Sequence, residues 1–164
     1  MEKKLTTVAN ILIIIVAVAI GVQFLRGKLS VAGADGHLNP VSLEGKKFPI
    51  DEIWHPYKKT VVLALQVGCH YCTASAPFYD RITKFASQRG INVIAMLPNG
   101  QSESRNYLGG LKLKIDNIQQ IDLGHIAVSG TPTVFVVNDK GVVEKVWEGQ
   151  LEDDQEKKIL ALLG

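Results

Sequence analysis

Two cysteines stand in the stretch Cys69-His70-Tyr71-Cys72, and the chain has no others. An apolar run, Thr60-Val61-Val62-Leu63-Ala64-Leu65-Gln66-Val67, leads into the pair. Behind it Phe78, Tyr79, Ile82, Phe85 and Ala86 recur at three- and four-residue steps, the spacing of one helix face. The pair therefore falls where a buried strand turns into a helix. A sulfur at the cap of that helix faces the unpaired N–H groups of its first turn. Those donors and the helix dipole favour an anion, so Cys69 is expected to hold a stabilised thiolate. Cys72 lies one turn on, within reach to close a small disulfide. An exposed attacking thiolate with a second thiol behind it is the arrangement that dithiol–disulfide exchange requires.

Composition narrows the alternatives. The chain has 164 residues, 46% of them apolar and 21% charged, enough for one packed domain and an appendage. A net charge of +2, with Lys and Arg scattered, gives no footprint for nucleic acid. A tetrahedral zinc site wants four ligands, and no second cysteine pair exists to complete one. A framework of the small secreted kind would need more cysteines.

The appendage is N-terminal. After a short flank, residues 1–4, residues 5–25 carry no charge, and their length is that of a helix spanning a bilayer core. A transmembrane anchor is expected there. Ala32-Gly33-Ala34 keeps open a cleaved signal peptide, although it lies well beyond Arg26. Lys3 and Lys4 at one end balance Arg26 and Lys28 at the other, so the free amino terminus tips the first end inward. The domain would then lie on the extracytoplasmic side. Residues 26–45, broken by Gly27, Gly33, Gly36, Pro40 and Gly45, are expected to be a tether, with the domain at 46–164.

Within the domain an α/β alternation is expected. Phe48-Pro49-Ile50 opens it as a short edge strand. Thr60–Val67 and Ile91–Leu97 are buried strands joined by the helix after the cysteines, which makes a right-handed parallel unit. Pro77 should bend that helix and Gly90 cap it. Glu103–Leu108 is a weak helix ended by Gly109-Gly110. Leu111, Leu113 and Ile115 alternate as a short strand, and Ile118, Ile121 and Ile126 hint at a helix. Thr133–Val137 and Val142–Trp147 form a hairpin about Asn138-Asp139-Lys140-Gly141. A last helix opens at Glu152-Asp153-Asp154. His37, His55 and His125 are read as loop or surface residues.

Three features in order resemble the thioredoxin superfamily: a strand, then Cys69-His70-Tyr71-Cys72, then a helix; Pro77 inside that helix; and Gly130-Thr131-Pro132-Thr133 before a hairpin and a final helix. The resemblance covers about residues 46–164. It implies a thioredoxin-like fold, a central mixed sheet flanked by helices, with Pro132 in a cis peptide packed against the disulfide. The single anchor and the segment Asn99–Gln120 are similar to the membrane-anchored TlpA/ResA type of redoxin. That type is bacterial and sits on the cytoplasmic membrane with its domain on the periplasmic side. The sequence departs from thioredoxin at His70-Tyr71, at Gly68 in place of tryptophan and at Leu63 in place of a buried aspartate. Ser75 stands where cytochrome-maturation reductases often carry glutamate.

The resemblance implies a thiol–disulfide oxidoreductase whose redox group is the Cys69–Cys72 pair itself, with no further cofactor and no metal. Its partners would be protein thiols or disulfides, with a membrane redox protein as electron donor or acceptor. Cys69 attacks and Cys72 resolves, while Thr131 and Pro132 offer an edge to the partner's extended backbone. His70 stabilises the thiolate if protonated, or is a solvent-facing residue. Tyr71 adds contact surface. Three other readings stay open. A peroxiredoxin-like peroxide reductase would need a threonine where Gln66 stands. A copper-binding module would draw on the two thiolates and His125. A purely structural disulfide would close too short a loop to constrain much.

Overall fold

The structure, a computed structural model, describes residues 40–50, 54 and 56–164. These fall in one compact unit, Leu38–Gly164. The anchor expected at 5–25 lies outside the described residues, as does the tether up to 39. Among the described residues no helix is long and apolar enough to cross a membrane.

Among the described residues five strands form one mixed sheet: β1 (Lys59–Ala64), β2 (Asn92–Leu97), β3 (Asn117–Gln120), β4 (Thr133–Asn138) and β5 (Val143–Glu148), in the order β3-β2-β1-β4-β5. β1 runs parallel to β2, and β2 to β3. β4 is antiparallel to both β1 and β5. Successive residues of β1 point to opposite faces of the sheet. Val61 and Leu63 enter one core, Val62 and Ala64 the other, and all four are fully buried. That is why the sequence shows a continuous apolar run rather than alternation.

The described residues also form four α-helices: α1 (His70–Ala74), α2 (Ala76–Ser87), α3 (Gln101–Gly110) and α4 (Asp153–Leu163). Phe78, Tyr79 and Ile82 of α2, Leu108 of α3 and Ile159 and Leu163 of α4 share the core of Val61 and Leu63. The opposite face is covered by shorter pieces: Phe48 and Trp54, and a 3₁₀ turn at Leu123–Ile126. Phe48 stacks edge-on against both Trp54 and Phe135, at 5.1 and 5.2 Å between centroids.

The structure corrects three local expectations. Leu111–Ile115 is not a strand: Lys112 takes a left-handed conformation, φ 59°, where the backbone turns out of α3. The N–H of Leu113 bonds the carbonyl of Leu108 at 3.0 Å, closing the helix end past the two glycines. The helix hinted at over 118–126 is instead β3 followed by the 3₁₀ turn. Backbone pairing with Ile94–Leu97 outweighs the weak helical spacing of its isoleucines. Phe48-Pro49-Ile50 forms no strand, and pairing there shrinks to one bridge, Lys47 with Val142. The residues just before it pack on the sheet edge. Gly45 donates to the Val143 carbonyl at 2.8 Å, and the Glu44 carboxylate accepts from the Val146 N–H at 3.1 Å.

Candidate redox site at the start of α1

β1 delivers the chain to the site and a turn reverses it. Gly68 holds φ 81°, a left-handed conformation that a side chain strongly disfavours. The Val67 N–H bonds the Asn99 side-chain oxygen at 3.1 Å, tying the loop after β1 to the loop after β2. Cys69 then caps α1 with extended backbone, φ −70° and ψ 116°. Its Sγ accepts from the Cys72 N–H at 3.0 Å. Cys69 and Cys72 are disulfide-bonded, their Cα atoms 5.2 Å apart. Cys69 is half-buried and Cys72 fully buried, because the first sits at the helix mouth and the second faces the sheet.

The helix changes direction behind the pair. Ser75 joins α1 to α2, and Pro77 lies in the first turn of α2, where its missing N–H breaks no bond that helix needs. The bend expected at Pro77 is thus a joint at Ser75. Thr73 donates its hydroxyl to the Cys69 carbonyl at 3.2 Å, and the Tyr107 hydroxyl lies 3.3 Å from Thr73 Oγ1. α3 is thereby linked to the cysteine turn.

The loop before β4 closes the other side. The Thr131–Pro132 peptide is cis, and the Thr131 carbonyl oxygen lies 3.4 Å from Cys69 Sγ. The loop is pinned twice: Thr133 Oγ1 donates to the Gly130 carbonyl at 2.7 Å, and the Gly149 N–H to the Pro132 carbonyl at 2.7 Å. A Cβ at Gly130 would sit 2.6 Å from Glu148 Oε1, so the strand end leaves room only for glycine with that side chain in place.

The fold brings Cys69, Cys72, Thr131 and Pro132 together. His70 and Tyr71 stand outside this group, exposed on the first turn of α1, their rings 5.5 Å apart and edge-on. Tyr71 is 57% exposed, high for an aromatic ring. His125 is exposed on the 3₁₀ turn. Among the described residues no three His, Cys, Asp or Glu side chains gather as a metal site, so His125 does not join the thiol pair.

Sequence reasoning missed a polar feature behind the pair. Cys72, Ser75 and Tyr79 follow at helical spacing, so one stripe carries all three into the core. The Ser75 and Tyr79 hydroxyls are buried without a hydrogen-bond partner. Burial holds the Tyr79 phenol well above its usual 10.0, and the Ser75 hydroxyl opposes that shift. Below about pH 10 both folded and unfolded chains keep this proton, and the contribution is intact. Above it the unfolded phenol ionises while the folded one does not, so stability falls as pH rises. Tyr79→Phe removes both the unsatisfied hydroxyl and this alkaline loss. It is expected to gain about 1 kcal/mol at neutral pH, with the gap widening above pH 10. Denaturant unfolding of both proteins at pH 8 and pH 11 checks this; a gap that narrows at pH 11 contradicts it.

No protein-family model matches the chain, and no curated protein matches it in sequence. Solved structures do match in shape. StoA from Bacillus subtilis is 16% identical with a TM-score of 0.53, over 65% of this chain and 83% of that one. A thiol:disulfide interchange protein of Chlorobium tepidum is 20% identical with a TM-score of 0.54, over 65% and 81%. A thiol-disulfide isomerase of Corynebacterium glutamicum is 19% identical with a TM-score of 0.54, over 74% and 82%. At these identities the likeness is one of architecture, and with the mixed sheet, the cysteine turn and the cis-proline loop in place the chain has a thioredoxin-like fold.

Proposed function

We propose that this chain is a thiol–disulfide oxidoreductase acting on protein thiols and disulfides through Cys69 and Cys72. One observation carries the reading: a half-exposed sulfur bonded by a backbone N–H at 3.0 Å, with its disulfide partner fully buried one turn behind. In the reducing direction the Cys69 thiolate attacks a partner disulfide and displaces one partner sulfur as thiolate. Cys72 then gives up its proton, attacks Cys69 Sγ and releases the second partner sulfur. Two electrons pass to the partner, whose two sulfurs take up two protons, and the chain is left with the Cys69–Cys72 disulfide. The oxidising direction is the reverse. Thr131 and Pro132 lie beside the sulfur, where a partner's extended backbone would dock, and His70 and Tyr71 extend the contact surface. The disulfide is the redox group, so the reaction calls for no added cofactor.

The names of the similar structures, interchange protein and isomerase, support this reading. A peroxide reductase fits the site less well, with Gln66 at the threonine position, and so does a copper module, with His125 apart from the thiols. The uncharged stretch 5–25 would hold the domain on a bacterial cytoplasmic membrane, extracytoplasmic side, near a membrane redox protein that recycles it. Protease added to sealed cells tests that placement by digesting the domain or sparing it. For the chemistry, the chain is equilibrated with reduced and oxidised glutathione over a range of ratios. The pair should titrate as one two-electron couple, and the chain should accelerate exchange in a model disulfide protein. A pair that stays oxidised throughout, with no exchange accelerated, is a structural staple.

A further inference from the structure

The docking edge at Thr131 runs along a groove of about 280 Å³ that ends at the 3₁₀ turn. Asp122 lines this groove. Its Oδ1 accepts from the Gly124 N–H at 2.9 Å, which fixes the carboxylate at the mouth of the turn. Glu148, the last residue of β5, does not line the groove itself but lies against Gly130, which does. Its Oε1 accepts from the Ser129 hydroxyl at 3.2 Å and occupies the space above Gly130. Both side chains are exposed, and neither has an ion-pair partner among the described residues. Of the groove's lining residues none is Lys or Arg. The Thr131 N–H has no hydrogen-bond partner among the described residues, and the Thr131 carbonyl oxygen meets only the Cys69 sulfur.

From this arrangement we infer that the site selects partners whose reactive cysteine is flanked by basic residues. This rests on the thiol–disulfide reading above and adds the charge of the substrate to it. A backbone paired along Gly130 and Thr131 passes both carboxylates, Asp122 in the groove lining and Glu148 against Gly130. Both carboxylates are oriented by their own chain, so a cationic partner need not order them, whereas an anionic one meets like charge from both. Each such exposed pair is worth a factor of roughly two to five. Two together give roughly tenfold between basic and acidic flanks, and salt should erase most of it.

The test uses the reduced full chain and three short cysteine peptides, each supplied as its symmetrical disulfide. The cysteine is flanked by arginines in one, serines in the second and glutamates in the third. Each rate is divided by that of the same peptide with dithiothreitol, which removes the peptide's own reactivity. The expected order is arginine, serine, glutamate, with about tenfold between the ends at low salt and little left at ~1 M. Asp122→Asn keeps the cap and Glu148→Gln keeps the acceptor for Ser129. Each should cut the arginine-to-glutamate ratio by roughly two- to fivefold. Equal rates, a reversed order, or a ratio that survives both substitutions overturns the charge selection and leaves the exchange reading standing. No reaction with any peptide overturns both.

Discussion

Cys69→Ser is expected to reduce disulfide exchange to background, a loss of ~10⁴-fold or more, as befits removal of a covalent nucleophile. Cys72→Ser should behave differently. It still attacks through Cys69, but nothing remains to resolve the product, so it reacts once and stays joined to its partner. The asymmetry comes from position. Cys69 Sγ takes the Cys72 N–H at 3.0 Å and is reachable from solvent, whereas Cys72 is fully buried against the sheet. The Thr131 carbonyl, 3.4 Å from the same sulfur, turns its negative end toward it and works against the anion. The Cys69 thiolate should therefore form below the ordinary ~8.5 but short of the most extreme values known for helix-start cysteines. Alkylation of each single variant across pH, read by mass, separates the two. Cys69 in the Cys72→Ser variant should react in mildly acidic solution, and Cys72 in the Cys69→Ser variant slowly until the pH is high. If Cys72 reacts first in acid, the roles are reversed and the mechanism above fails.

Where the sequence carried a strong local signal, the fold follows it. The run from Thr60 to Val67 could be read as a doubly buried strand because both faces of β1 lie in a core. The apolar run, Cys69 and the helical stripe behind it marked the turn because strand, cap and periodicity meet at one place, and the left-handed Gly68 that makes the turn shows only in the fold. Gly130-Thr131-Pro132-Thr133 was found by resemblance, since nothing in its composition says that it lies beside Cys69. That contact joins residues 62 apart in sequence and depends on β4 pairing with β1. β3 was missed because Asn117-Ile118-Gln119-Gln120 owes its conformation to pairing with β2 rather than to its own side chains. The polar stripe of Ser75 and Tyr79 was hidden for another reason. Tyr79 fits an apolar helix face, and only the packed structure leaves its hydroxyl without a partner. Glu148 falls just beyond the hairpin strand expected to end at Trp147, and only the fold sets it against Gly130.

Phe135→Ala is expected to be the most damaging core substitution, costing about 3–5 kcal/mol. Phe135 is fully buried on β4, where the flanking strands β1 and β5 pair with Val62 and Val146 opposite it. On its face of the sheet no α-helix packs among the described residues, and the cover is Phe48, Trp54 and the 3₁₀ turn. Its ring meets that of Phe48 edge-on at 5.2 Å, and Phe48 in turn meets Trp54. Removing it opens a void under a layer held in place by side chains more than by backbone pairing, so the layer loses its anchor as well as the buried area. A domain of this size has ~5–15 kcal/mol in total, so the loss is a large share and should lower Tm by on the order of 10–20 °C. Phe135→Leu keeps most of the volume and should cost only about 1–2 kcal/mol. Urea unfolding gives both values, with an unchanged slope showing that the same surface is exposed. The redox turn packs on the opposite face, through Cys72 in the core of α2 and α4. Phe135→Ala should therefore keep its thiol exchange rate at temperatures where it is folded. A folded Phe135→Ala protein with exchange lost would mean that the two faces are coupled, and a cost below about 1 kcal/mol would mean that the layer over Phe135 closes onto the void.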